Sequence, residues 1–292
     1  MSDTRLPGPM VSTGWLSERL GSPGLQVVDG SWYLPASGRD AAAEFAAAHV
    51  PGAVFFDLDA SSDRRSRLPH MLPPPGEFAE RMAALGLRDD AAIVVYDGSG
   101  VNLSAPRVWW TFRAFGHYAV ALLDGGFAKW RAEGRPVEAG VPSPPRGRFA
   151  ARLDAAMVRD LDAIRSNLTT RREQLVDMRP ADRFEGAVPE IRPGVRSGHI
   201  PGSLSLPYTE LVNPDGTVLA PERLRERIRS AGIDLARPVV ASCGSGTTAC
   251  SLLFALHLLG HEEVSLYDGS WTEWGSAPGL PLEEGPPRKG PQ

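Results

Sequence analysis

Cysteine is scarce in this chain: only Cys243 and Cys250 occur among 292 residues. They lie close together in one stretch, a spacing that bridges only with unusual backbone geometry, so no disulfide framework is expected. Two cysteines and six scattered histidines do not supply a structural zinc site. A basic excess is also missing. Thirty-one Lys and Arg against 35 Asp and Glu leave a formal charge of -4, which argues against a nucleic-acid binder. No apolar run approaches the roughly 20 residues of a membrane span. The opening residues MSDTRLPGPM hold neither a charged leader nor an apolar core, so no secretory signal is expected. A reducing, cytoplasmic setting with at least one free thiol is the resulting expectation.

What is present is enough to fold. Hydrophobic residues make up 42% of the chain, and its length suits about two domains. Self-comparison finds four landmarks repeated in the same order. Val27-Val28-Asp29 is echoed by Leu175-Val176-Asp177, and His49-Val50-Pro51-Gly52 by His199-Ile200-Pro201-Gly202. Asp97-Gly98-Ser99-Gly100 is echoed by Cys243-Gly244-Ser245-Gly246. Leu123-Asp124-Gly125-Gly126-Phe127 with Trp130 is echoed by Tyr267-Asp268-Gly269-Ser270-Trp271 with Trp274. A repeat this long is a duplicated domain rather than a solenoid unit. Residues 134–148 read GRPVEAGVPSPPRGR, and proline extends and stiffens such a stretch. The expected division is a domain at 1–135, a linker at 136–150 and a domain at 151–292. The tail from Pro278 is expected to be irregular.

Short apolar runs at Leu25–Asp29, Ala92–Tyr96, Ala119–Leu123, Gln174–Asp177, Pro238–Ser242 and Val264–Tyr267 predict strands covered on both faces. Helical patterns alternate with them. The predicted class is therefore α/β, each half a mostly parallel sheet flanked by helices. Pro221–Ala231 predicts an amphipathic helix with Pro in its first turn and Gly232 beyond its end. The Trp-rich and Phe-rich stretches are read as core.

The stretch Cys243-Gly244-Ser245-Gly246-Thr247-Thr248 follows a predicted strand and precedes the apolar helical run Ala249–Leu259. Glycines at such a junction let backbone N–H groups converge on an anion at the helix N-terminus. A cysteine there would have its thiolate stabilised. Cys250 lies inside the helix and is read as packing. A phosphate-binding loop needs Lys where Thr247 stands. A cysteine phosphatase needs an Arg that the loop lacks. A sulfur carrier needs a thiolate and N–H donors, and the loop suits that task.

Together these residues resemble the rhodanese superfamily of sulfurtransferases, from about Val11 to Trp274. Within it, Cys-Gly-Ser-Gly resembles the branch acting on mercaptopyruvate; the thiosulfate branch typically carries a basic Cys-Arg-Lys-Gly loop. Thr247 departs from the Val common in the mercaptopyruvate branch. The resemblance implies two tandem rhodanese-like domains, only the second with the catalytic cysteine, Asp97 replacing it in the first. It implies Cys243 as sulfur carrier, Ser245, His70 and Asp59 as proton-handling groups, and Arg183 and Arg192 as anchors for the substrate's carboxylate and oxo group. Gly244, Gly246, Thr247 and Thr248 complete the implied substrate-binding loop. Asp57 and Asp63 are neighbouring acids, and Arg179, Arg196 and Arg107 weaker cationic candidates. The implied acceptor is a thiol such as thioredoxin or a small dithiol, or cyanide, and no metal or organic cofactor is implied. The competing readings are a thiosulfate:cyanide sulfurtransferase and a non-catalytic rhodanese-like binding module.

Overall fold

In the computed structural model, residues 5–287 are described; the first four residues of the expected N-terminal domain and the last five of the expected tail lie outside them. The chain forms two compact units. The first holds the chain up to Arg64, Leu72–Asp154 and Val212–Val218. The second holds Arg65–Met71, Ala155–Leu211 and the chain from Leu219 onward. The division differs from the expected one in three places. Residues 65–71 count with the second unit and residues 212–218 with the first. Residues 136–150 belong to the first unit instead of standing between domains. Glu138 pairs with His49 in a backbone bridge, Gly147 N–H reaches Ala83 O at 2.8 Å, and Arg152 N–H reaches Phe115 O at 3.0 Å. A Cβ on Gly147 would lie 2.1 Å from Leu87 O, so this approach requires glycine.

The first unit contains strands β1 (Met10–Val11), β2 (Leu25–Asp29), β3 (Ala53–Phe55), β4 (Ala92–Tyr96) and β5 (Val120–Leu123). They form one parallel sheet in the order β1-β5-β4-β2-β3. Its helices are α1 (Thr13–Ser17), α2 (Ala41–Ala47), α3 (Pro75–Ala84), α4 (Ala105–Ala114) and α5 (Gly126–Ala132). Val27, Val94, Tyr96, Ala121 and Leu123 bury one sheet face against Leu16, Phe45, Val50 and Trp130. The alternation of Val94 and Tyr96 follows the two-residue period of a strand. The rings of Phe78, Phe112, Phe115 and Phe149 form a further packed group. Truncating a fully buried ring such as Trp130 to Ala would cost about 3–5 kcal/mol.

The second unit repeats the pattern with β6 (Val158–Arg159), β7 (Gln174–Asp177), β8 (Leu204–Ser205), β9 (Val239–Ser242) and β10 (Val264–Tyr267). The parallel order is β6-β10-β9-β7-β8, the first order advanced by one domain. Helices α6 (Leu161–Thr170), α7 (Ala181–Phe184), α8 (Pro221–Ser230), α9 (Cys250–Leu258) and α10 (Ser270–Ser276) accompany it. Leu175, Val240, Tyr267, Trp271 and Trp274 anchor its core. Helix α9 is apolar on every side and buried from Cys250 to Leu256, as an enclosed helix must be.

The His-x-Pro-Gly landmarks are structural clasps. His49 stacks on Phe45 at 4.1 Å between ring centroids, and its Nδ1 lies 2.8 Å from Phe45 O. His199 stacks on Phe184 at 3.8 Å, and its Nδ1 lies 2.9 Å from Phe184 O. Each histidine bridges through its backbone to a glutamate, Glu138 or Glu283. The glutamate carboxylate then accepts the N–H of Gly52 or Gly202.

Candidate active site

Strand β9 delivers Cys243 to the end of the second sheet, where the chain breaks into Gly244-Ser245-Gly246 before turning into α9. Cys243 is buried and its thiol is free. Gly246 has φ +75°, a left-handed conformation that favours glycine. The loop is gripped from β10 and α10. Ser270 Oγ accepts Cys243 N–H at 3.2 Å and donates to Tyr267 O at 2.8 Å. Trp271 N–H donates to Cys243 O at 3.0 Å, and Thr272 N–H and Oγ1–H donate to Gly244 O at 3.0 and 2.5 Å. Ser270 itself sits at φ +50°, where the first unit has Gly126 at φ +56°.

The corresponding loop of the first unit is a built-in comparison. There Asp97 occupies the cysteine's place, and its carboxylate folds back into its own loop. Its Oδ1 accepts the Ser99 N–H at 2.8 Å, and its Oδ2 accepts the N–H groups of Ser104 at 3.0 Å and Ala105 at 2.8 Å. A loop of this sequence type therefore places its N–H donors around an anion.

Two of the sequence-derived arginines lie at the cysteine loop. A carbon placed as Cβ on Gly244 would stand 3.4 Å from Arg183 Nη2 and 3.9 Å from Arg192 Nη1. Glycine at 244 lets both guanidiniums close on the backbone. Arg183 Nε is buried with no hydrogen-bond partner among the described residues, which leaves a donor for an anion. Glu190 was not singled out in the sequence, where it reads as a surface acid between two arginines. It is buried and forms ion pairs with both Arg183 and Arg179. Arg179 is fully buried. It grips Asp177 at 2.7 Å, donates to Gly198 O at 2.8 Å and stacks over Trp271 at 4.7 Å. Burial works against its charge, but Asp177 and Glu190 outweigh that and hold it protonated. Arg179 is thus a pillar behind the loop. Arg196 ties Gly275, Ala277 and Leu280 carbonyls together. Arg107 lies buried over the Trp110 ring in the first unit.

His70 joins the cysteine loop. The segment Arg65–Met71 belongs to the second unit, and His70 Nδ1 lies 2.9 Å from Ser245 Oγ. The same nitrogen lies 3.0 Å from Thr247 Oγ1. All three side chains are buried. His70 has φ +60°, a strained conformation for a residue with a side chain. The first-unit acids stand differently. Asp59 Oδ2 accepts the Trp32 indole N–H at 3.1 Å, whereas Asp57 Oδ1 caps Ala60 N–H at 2.9 Å within its own turn. Thr248 is half-buried and its carbonyl accepts Ser251 N–H at 3.2 Å. Cys250 is buried in α9 and its thiol donates to Gly246 O at 3.3 Å. Among the described residues, no group of three or more His, Cys, Asp or Glu is arranged to hold a metal ion. No described helix is long and apolar enough to cross a membrane.

Two copies of one parallel α/β domain, one copy carrying a buried thiol in a strand–loop–helix turn beside paired guanidiniums, define a duplicated thiol-chemistry fold. The Rhodanese-like domain family matches residues 12–133 and again 160–277, and the chain belongs to that family. The human 3-mercaptopyruvate sulfurtransferase is 45% identical over 279 residues, covering 94% of each chain. The thiosulfate sulfurtransferase of Cricetulus griseus is 42% identical over 271 residues, covering 91% of each chain. Among solved structures, the 3-mercaptopyruvate sulfurtransferase SseA of Escherichia coli superimposes with a TM-score of 0.83 at 39% identity, covering 90% of this chain and 98% of that one.

Proposed function

We propose that this chain transfers the sulfur of 3-mercaptopyruvate, through a persulfide on Cys243, to a second thiol, and releases pyruvate. The observation that carries the reading is the composition and surroundings of one loop. Cys243 is buried at a strand end, no Arg or Lys stands between it and Thr248, and two guanidiniums lie beside Gly244.

In the proposed reaction the Cys243 thiolate attacks the substrate's sulfur. A sulfur–sulfur bond forms, the carbon–sulfur bond breaks, and its electron pair leaves as the enolate of pyruvate. Arg183 and Arg192 are assigned to the carboxylate and oxo group, which an arginine fork matches in shape and charge. Charge grows on the oxo oxygen as the bond breaks, so a cation held there lowers the barrier. Ser245 and His70 are assigned to carry the substrate's thiol proton to the enolate carbon. The part of Asp59 rests on the family resemblance. Charge is conserved: a cysteine thiolate is consumed and a persulfide anion is made. The N–H groups of Gly244, Ser245, Gly246, Thr247 and Thr248 are assigned to hold that anion. A reduced thiol such as thioredoxin, or cyanide in the test tube, then attacks the outer sulfur and frees Cys243. That step consumes a reduced thiol, which suits a reducing compartment such as the cytoplasm. No metal or organic cofactor enters the scheme.

The names of the relatives include both mercaptopyruvate and thiosulfate enzymes at similar identity, so the substrate is argued from the loop. Thiosulfate is a doubly charged anion and calls for cations in the loop itself, where this chain has Gly, Ser and Thr. Incubating the purified protein with 3-mercaptopyruvate or with thiosulfate, then measuring turnover and the intact mass, separates the readings. The proposal expects faster turnover and fuller persulfidation with mercaptopyruvate. A clear thiosulfate preference overturns the substrate, and an active Cys243→Ser protein overturns the persulfide.

A further inference from the structure

The site contains a hydroxyl for which the proposed reaction has no use. Thr247 Oγ1 lies 3.0 Å from His70 Nδ1, and Ser245 Oγ lies 2.9 Å from the same nitrogen. Nδ1 has either one proton or one lone pair, so it makes one well-aligned hydrogen bond at a time whichever tautomer is present. Two hydroxyls at nearly equal distance therefore share one position. Thr247, Ser245 and His70 are all buried, so each hydroxyl is the protein group at hand to replace the other on Nδ1. His70 also sits at φ +60°, so its placement depends on the contacts around it.

We propose that Thr247 is a positioning residue that holds His70 Nδ1 whenever Ser245 turns to the substrate. A buried ring nitrogen left without a partner costs free energy, and the ring would shift to recover one. With Thr247 in place, the imidazole stays bonded and aimed while Ser245 turns to the substrate's thiol as it binds, and Ser245 returns to Nδ1 to relay the proton. The role needs the hydroxyl, and the β-methyl assists it. The hydroxyl reaches His70, and the methyl limits the rotamers available to it. This role is distinct from the loop N–H contacts assigned to residue 247 above. Its kinetic half rests on the proposed sulfur transfer, and its spectroscopic half does not.

The test uses the full chain carrying ¹⁵N-labelled histidine, with His70→Gln to assign the His70 resonances. Thr247→Val keeps shape and removes the hydroxyl. It should move the His70 Nδ1 resonance and leave the other histidines in place, which also verifies the fold. Thr247→Ser should return the resonance toward its original position. With mercaptopyruvate, Thr247→Val should lower kcat about three- to tenfold, as expected for one lost hydrogen bond, with KM within about twofold. Thr247→Ser should recover most of kcat. A Thr247→Val protein whose Nδ1 resonance does not move overturns the proposal, as does one whose resonance moves while kcat stays. If the unaltered protein does not turn over mercaptopyruvate, the substrate reading fails, and the resonance alone decides whether Thr247 holds His70.

Discussion

Asp29 and Asp177 occupy the same place in the two copies, at the ends of β2 and β7, and both are buried. Each accepts the backbone N–H two residues on, Ser31 at 2.8 Å and Arg179 at 2.9 Å. The difference is the side chain at that second position. In the second unit Arg179 neutralises Asp177, and in the first unit Ser31 does not neutralise Asp29. Burial consequently pushes the Asp29 carboxyl up to about 6, while its bonds to Ser31 only partly offset the rise. The folded state therefore holds a proton that the unfolded state releases between its ordinary value and about 6. A raised carboxyl stabilises the fold at low pH and loses that contribution as pH rises through the folded value. At pH 7 the shift of about two units costs roughly 3 kcal/mol, falling to about half that at pH 5. Asp29→Asn keeps an acceptor for Ser31 N–H and removes the charge. It should stabilise the protein by up to about 3 kcal/mol at pH 7 and by about half as much at pH 5. Asp177→Asn should do the opposite, because it strips a buried Arg179 of the carboxylate that takes both its Nε and its Nη2, at a cost of about 3 kcal/mol or more. Urea unfolding followed by circular dichroism at the two pH values measures both. An Asp29→Asn protein that is destabilised at pH 7, or whose gain grows toward pH 5, refutes the reasoning.

Three further outcomes follow from the same structure. Arg183→Met should raise KM for mercaptopyruvate about ten- to a hundredfold, since a charged hydrogen bond contributes about 1.5–3 kcal/mol; an unchanged KM in steady-state kinetics removes Arg183 from substrate binding. Gly246→Ala forces a side chain into a left-handed loop position, and should cost about 1–2 kcal/mol in urea unfolding together with most of the persulfide yield. Burial lowers the proton affinity of His199 against its bond to Phe184 O, so the fold favours the neutral ring. That contribution is fully present above the ordinary histidine value and is lost as pH falls through the lowered folded value, so His199→Gln should flatten the stability profile below about pH 6.5.

The strands were legible because a parallel sheet covered on both faces leaves continuous apolar runs. Leu25–Asp29, Ala92–Tyr96, Gln174–Asp177 and Val264–Tyr267 fall where those runs predict them, and the duplication follows from ordered landmarks. Strands β1, β3, β6 and β8, with two or three residues each, are too short to show a period. The exchange of Arg65–Met71 and Val212–Val218 between units was also hidden, because composition marks where a chain is loop, not which core the loop packs on. At the site, Cys243 stood out through its glycine-rich setting and its absence from the first copy. Arg183 and Arg192 needed the family resemblance, since an isolated arginine carries no sign of what it faces. Glu190 and the double contact of His70 with Ser245 and Thr247 arise from pairings across long stretches of chain that spacing alone does not encode.

The most direct test of sulfur carriage is the intact mass of the protein after brief exposure to 3-mercaptopyruvate without an acceptor. The account predicts a gain of about one sulfur atom, located on Cys243 by peptide mapping, absent in Cys243→Ser and removed by a reduced dithiol with return of the free thiol. Pyruvate release without that gain, or a sulfur found on Cys250 instead, would contradict it.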